Sequence, residues 1–231
     1  MSLVLSGLQK LTLLDYPGRV ACTVFLGGCD FRCPFCHNAG LVQNPESALG
    51  EGELLEFLNR RRNLLDGVVF TGGEPLLQKD LPALMQKVKA LGYPIKLDTN
   101  GSHPDKLKSL IDEGLVDYVA MDVKNSPERY PETVGVKNFD LSPVSESIEI
   151  LKSDSVDYEF RTTVVAELHD EKSFAEIGKW IQGAKRYYLQ KFVNRESVLN
   201  QNLHAPDDRA LSRYLEQVRP YVSFAAVRGE E

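Results

Sequence analysis

The sequence predicts an α/β fold in which parallel strands wind into an incomplete, TIM-like (β/α)6 barrel. Three observations predict it. Short apolar runs alternate with amphipathic segments six times in succession. Strands separated by helices pair in parallel through right-handed crossovers. Polar and glycine-rich residues collect just after the strands, at the edge where parallel α/β proteins carry their sites. A closed barrel takes eight units and usually about 250 residues. Six units in 231 residues leave it open at the side. No repeat, low-complexity tract or linker interrupts the chain. One domain is therefore expected over 1–231, with its core at about 18–193 and a C-terminal extension at 194–231.

Each element has its own signal. VACTVFL (20–26) is an apolar strand, and a cysteine loop follows it. Residues 52–65 place leucines and Phe57 at helical spacing, and GVVF (67–70) is a short buried strand that ends in TGGEP. Residues 81–92 form a helix stopped by Gly92 and Pro94, and 93–101 read as strand then turn. Residues 103–114 form a helix with proline near its start and glycine at its end. A strand at 116–124 leads into an irregular polar connection at 125–142. Helix 143–153, strand 156–165, helix 171–184 and strand 186–193 follow. A loop at 194–205, a last helix at 207–221 and a strand-like tail at 222–229 complete the chain.

Composition narrows the function. Hydrophobic residues make up 42% and charged residues 26%, as in ordinary globular proteins. A net charge of −6 argues against nucleic-acid binding, which calls for a basic face. The basic run Arg60–Arg62 reads as the solvated face of a helix. No apolar stretch approaches 18 residues, so no membrane span is expected. The opening MSLVLSGLQK lacks the apolar core of a signal peptide, which points to the cytoplasm. Three of the four cysteines are clustered, which suits a reducing compartment better than a disulfide framework.

That cluster is the strongest chemical signal. Cys29, Cys33 and Cys36 stand in CDFRCPFCHN as C-x3-C-x2-C. Three thiolates can hold a cubane of four irons but leave one iron without a protein ligand. Ferredoxin patterns give four cysteines per cluster and serve electron transfer. An open iron can bind a substrate, much as an open position marks a catalytic zinc. Structural zinc with His37 as fourth ligand is an alternative, although His37 directly follows Cys36 and cannot easily point inward with it. Unligated cysteines are another. Cys22 lies in the strand run and reads as a buried core thiol, or as a fourth ligand.

CDFRCPFCHN, followed after the next strand by TGGEP, resembles the radical S-adenosylmethionine (SAM) superfamily. The opening GLQKLTLLDYPGRVACTVFLGGCDFRCPFCHNAGLV is most similar to the activating proteins of anaerobic ribonucleoside-triphosphate reductase, a group of glycyl-radical-enzyme activating enzymes. The likeness is sharpest over residues 7–125. It implies a radical SAM core with a [4Fe–4S] cluster on Cys29, Cys33 and Cys36. SAM would bind the open iron and be cleaved reductively to a 5′-deoxyadenosyl radical, with the cofactors supplying the hard chemistry.

The resemblance also implies a SAM site. Gly72, Gly73 and Glu74 would receive the methionine amino group; read alone, they are a plain turn. Asp98, Thr99 and Asn100 would contact ribose or carboxylate, against an Asx turn before Gly101. Asp122 and Lys124 match a D-x-K motif, with Lys124 for the SAM carboxylate and Asp122 for a cation or ribose, against a simple ion pair. Arg161 matches an arginine on the fifth strand, and Phe35 and His37 would contact adenine. No cysteine follows Cys36, so no ferredoxin-like insert is expected.

The implied activity is formation of a glycyl radical on a partner enzyme, foremost an anaerobic ribonucleotide reductase. A one-electron donor such as flavodoxin or ferredoxin would supply the electron. Two alternatives stand beside it: a radical SAM enzyme acting on a small molecule of the modified-purine type, and a non-catalytic iron–sulfur or zinc protein.

Overall fold

Strands β1 (Leu5–Thr12), β2 (Ala21–Leu26), β3 (Gly67–Gly72) and β4 (Ile95–Thr99) lie side by side in chain order. They come from a computed structural model that describes residues 3–43 and 45–229. Positions 1, 2, 44, 230 and 231 of the expected domain lie outside the described residues. The chain divides into two compact units. The first takes the chain through Asp30, then Gly40–Thr99 and His103–Val119; the second takes Phe31–Ala39, Asn100–Ser102 and everything from Ala120 onward.

In the first unit β2 pairs with β3 in parallel, and β3 with β4 likewise. Nearly every residue of β2, β3 and β4 is buried, as strands covered on both faces must be. Helices α2 (Glu51–Arg60), α3 (Leu81–Ala90) and α4 (Pro104–Asp112) bury their leucine faces, among them Leu54, Leu58, Leu84 and Leu107. A short helix α1 (Ala39–Gln43) precedes them, and a 3-10 turn (Pro75–Leu77) follows β3.

The chain passes into the second unit within β5 (Tyr118–Asp122). Strands β6 (Asp157–Val164), β7 (Tyr187–Lys191) and β8 (Ala225–Val227) follow in parallel pairs. Helices α5 (Tyr130–Val134), α6 (Ser142–Lys152), α7 (Glu171–Trp180) and α8 (Asp208–Val218) alternate with them. Phe174 of α7 stacks on Tyr214 of α8 at 4.7 Å. The last helix buries Ala210, Leu211, Tyr214, Leu215 and Val218, the single stripe its heptad-like spacing predicts.

All six predicted strands form, and the strand-like tail becomes β8. Three elements lie outside the predicted set. β1 runs antiparallel to β2, and register shifts between Leu5 and Gly7 and between Gln9 and Thr12 break its two-residue alternation. Leu5, Leu8 and Leu11 consequently sit three apart and do not read as a strand. The five-residue helices α1 and α5 are too short to show a helical period. α5 falls in the stretch read as irregular; a proline inside its start and Gly135 (φ 66°) after its end were the legible signs. Predicted helix ends also run long: α2 stops at Arg60, and α7 at Trp180. No helix among the described residues is long and apolar enough to cross a membrane.

Asp170 caps α7 by accepting from the Ser173 main-chain N–H at 2.7 Å. Asp170→Ala is expected to lower stability by about 1 kcal/mol. Urea denaturation at neutral pH measures it.

Candidate active site

The polar residues at the strand ends are built into two clusters, one in each unit. In the first unit the turn after β3 packs onto the end of β2. Gly73 N donates to Leu26 O at 2.8 Å, and Glu74 N to Gly28 O at 2.8 Å. Gly72 has φ of 124°, and a Cβ there would stand 2.3 Å from Leu26 O. A Cβ on Gly73 would stand 1.8 Å from Gly28 O. Both glycines are therefore required by the protein's own backbone, whatever binds above them. The contact ends at Gly28, immediately before Cys29.

Glu74 is fully buried. Its Oε1 accepts from Leu76 N at 3.0 Å and from Thr99 Oγ1 at 2.9 Å, which joins the ends of β3 and β4. Asp98 accepts from Lys96 Nζ at 2.5 Å, and Lys96 is almost wholly enclosed. Cys22 lies at the opposite end of β2, paired in register with Val68. Burial pushes its thiol up to about 12, as in an inert core cysteine.

The second unit carries Cys33, Cys36 and the rest of the cysteine loop. Residues far away in sequence hold this loop. Arg32 N donates to Val134 O at 2.8 Å, and Asn200 N to Pro34 O at 3.0 Å. The His37 ring stacks on Phe192 at 5.5 Å, and its Nε2 lies 2.6 Å from Val193 O. That imidazole is thus committed to the chain, which corrects the expectation of an adenine contact through the His37 side chain. Phe35 is buried. Asn100 Oδ1 accepts from Ser102 N and Oγ, so the Asx turn weighed against ligand contact is what forms.

Beside the loop, Asp122 bridges two cations. Arg161 Nε donates to its Oδ1 at 2.6 Å, and Lys124 Nζ to its Oδ2 at 2.7 Å. Burial alone would raise the Asp122 pKa; the Arg161 and Lys124 charges outweigh it and hold the carboxyl well below the usual range. The triad carries a net positive charge. Burial pushes the Cys33 thiol up to about 11, and the Lys124 charge pulls against that shift.

The D-x-K segment is fixed by residues that carry no motif. Val123 N donates to Arg161 O at 2.9 Å, and Thr162 Oγ1 to Val123 O at 2.6 Å. His169 Nε2 lies 2.9 Å from Lys124 O. Asn125 Nδ2 donates to Thr133 Oγ1 and to Leu168 O, both at 2.8 Å. Sequence reading missed Asn125, Thr133, Thr162 and His169, because partners up to 45 residues apart leave no local pattern. Among the described residues, no three His, Cys, Asp or Glu side chains stand grouped as a ready metal cage.

The comparisons agree with this architecture. Residues 23–181 match the Radical SAM superfamily, and the chain belongs to it. Its cofactors are accordingly a [4Fe–4S] cluster and SAM, and it is an enzyme of that class. An archaeal protein of Methanocaldococcus jannaschii, assigned as a glycyl-radical enzyme activating enzyme, is 30% identical over 237 residues, covering 99% of this chain and 97% of its own. The pyruvate formate-lyase-activating enzyme of Clostridium pasteurianum is 26% identical over 225 residues, with 89% and 90% covered. A 7-carboxy-7-deazaguanine synthase of Hyperthermus butylicus is 37% identical over 119 residues, covering 50% of this chain and 48% of its own. The crystal structure of Streptococcus suis SuiB bound to S-adenosylmethionine matches with a TM-score of 0.68 at 15% identity, over 87% of this chain and 48% of that one. This likeness shows the fold, the partial α/β barrel expected from the β/α units.

Two substitutions test the site's construction. Gly73→Ala is expected to cost about 3 kcal/mol, the upper range for overpacking, because a main-chain carbonyl blocks the methyl group. Asp122→Asn leaves two enclosed cations without their carboxylate. It is expected to cost about 3 kcal/mol at pH 7, the low end for a buried pair, since Asp122 keeps 23% of its side chain exposed. The folded pKa is depressed, so this contribution is complete above the ordinary aspartate pKa of about 4 and fades as pH falls below it. Urea titrations from pH 7 down to 3 should show the two proteins converging in acid.

Proposed function

We propose that this chain is a glycyl-radical-enzyme activating enzyme whose partner is an anaerobic ribonucleoside-triphosphate reductase. The observation that carries the activating role is the end-to-end match to the M. jannaschii relative, without an unmatched domain on either side. The reductase is favoured by the opening residues 7–42, whose likeness to that group is sharpest.

Three thiols on one short loop fit a cluster with an open iron, and Cys29, Cys33 and Cys36 would hold it. When bound, the cluster and SAM supply one-electron cleavage to a 5′-deoxyadenosyl radical, which takes a hydrogen atom from a glycine Cα. The remaining work belongs to the chain. The net positive Asp122–Lys124–Arg161 triad favours the thiolate of Cys33 and offers a cation to the SAM carboxylate. Asp122 holds both cations in place while it stays ionised. Gly72, Gly73 and Glu74, with Thr99 bound to Glu74, would receive the ammonium group. Asp98, set by Lys96, would face the ribose, and Asn100 would shape that turn. Phe35 and the His37 main chain would border the adenine. No acid or base is needed, because the hydrogen travels as an atom. A flavodoxin or ferredoxin would deliver the electron in the cytoplasm, without nucleic acid or membrane.

A second reading, a small-molecule enzyme of the modified-purine type, draws support from the half-length match to the deazaguanine synthase. One experiment separates the two. Reconstituted protein is incubated anaerobically with SAM, a reductant and the reductase, then examined by electron paramagnetic resonance. A glycyl radical doublet is expected. No doublet with any glycyl radical enzyme, together with deoxyadenosine release driven by a purine precursor, would replace the first reading with the second.

A further inference from the structure

One buried polar group in the second unit has no use in the account above. Tyr130, the first residue of α5, is fully enclosed, and its hydroxyl has no hydrogen-bond partner among the described residues. Leaving a buried hydroxyl unsatisfied costs about 1–3 kcal/mol. Such a group in a native protein calls for an explanation, and an absent ion or cofactor is one.

Its position supplies that explanation. The Tyr130 ring meets Phe31 edge-on at 6.4 Å, and Phe31 belongs to the cysteine loop. Phe139 stacks on it at 5.5 Å, and Trp180 meets it edge-on at 5.7 Å. The last residue of α5, Val134, accepts from Arg32 N at 2.8 Å. This helix is therefore the floor under residues 31 and 32, and Cys33 comes next.

Nearby acceptors are already engaged. Both Asp122 oxygens are taken by Arg161 and Lys124. The Lys124 carbonyl faces His169 Nε2. The acceptor that appears only on loading is the Cys33 sulfur, a thiol here and a thiolate once it ligates iron. Burial, and less strongly the Cys33 and Asp122 charges, push the Tyr130 phenol above its ordinary value, with Lys124 opposing. The hydroxyl thus keeps its proton and remains a donor at any working pH.

We propose that the Tyr130 hydroxyl donates a hydrogen bond to the Cys33 sulfur in the loaded protein and thereby tunes the cluster's reduction potential. The proposal rests on the reading that Cys33 is a cluster ligand. Hydrogen bonds to ligand sulfurs stabilise the more negative, reduced state and so raise the potential. Tyr130 acts here through Cys33, as a positioning and tuning residue.

Tyr130→Phe keeps the ring and its three aromatic neighbours and removes only the oxygen. Two quantities are measured on full-length protein: the melting temperature before reconstitution, and the midpoint potential afterwards by redox titration followed by electron paramagnetic resonance. The unloaded variant is expected to melt at or above the wild-type temperature, because it loses an unsatisfied buried group. The loaded variant is expected to be harder to reduce by about tenfold in equilibrium constant, about 59 mV for one electron. A variant that melts normally but fails to retain its cluster also supports the bond. An unchanged potential overturns the proposal, and so does a lower melting temperature of the unloaded variant, which makes the hydroxyl merely structural. Wild-type protein that takes up no iron–sulfur cluster overturns the underlying reading of Cys33 instead.

Discussion

The close approach of two main chains organises the first half of this site. The ends of β2 and β3 meet at Gly28 and Gly73, with no room between them for even one methyl group. Two main-chain bonds, Gly73 N to Leu26 O and Glu74 N to Gly28 O, lock the contact. Cys29 leaves from one side of this junction and the Glu74 carboxylate from the other. The place where the cysteine loop starts is consequently set by the same bonds that set the turn after β3. Glu74 then reaches Thr99 at 2.9 Å and ties in the end of β4. A single steric requirement thus aligns three strand ends.

The second unit relies on charge in a partly enclosed setting. A lone buried carboxylate would be protonated, and a lone buried ammonium would lose its proton. Asp122 placed between Lys124 and Arg161 avoids both outcomes, and the surplus positive charge remains beside Cys33. Such an arrangement is costly unless each partner is held in place. Hydrogen bonds from Thr162, His169 and Asn125 to the chain around Lys124 do that holding. A flexible surface triad of the same residues would contribute little.

Much of the fold was legible in the sequence because parallel α/β structure is written in local patterns. Runs such as VACTVFL and GVVF must be apolar on both faces, and the intervening helices must be amphipathic. β1 escaped notice because register shifts spoil its alternation. α5 escaped because one turn and a half cannot display a period. Among the site residues, the chemistry of the cysteines and the glycines could be read directly. The fate of Asn100 and His37 could not, since each has both a binding use and a structural one. The structure engages Asn100 Oδ1 in an Asx turn and the His37 ring against Phe192.

The sequence by itself determined the parallel α/β class, the thiol set of Cys29, Cys33 and Cys36, and the superfamily. Each of these depends on residue type and short spacing, which survive without coordinates. Only the tertiary structure decided that α5 and residues 192–200 brace the cysteine loop, that Asp122 joins Arg161 from a strand 39 residues away, and that Tyr130 is enclosed without a partner. The physical reason is range. A thiol's chemistry travels with its residue, whereas a hydrogen bond or an orphaned hydroxyl exists only once distant segments are packed together.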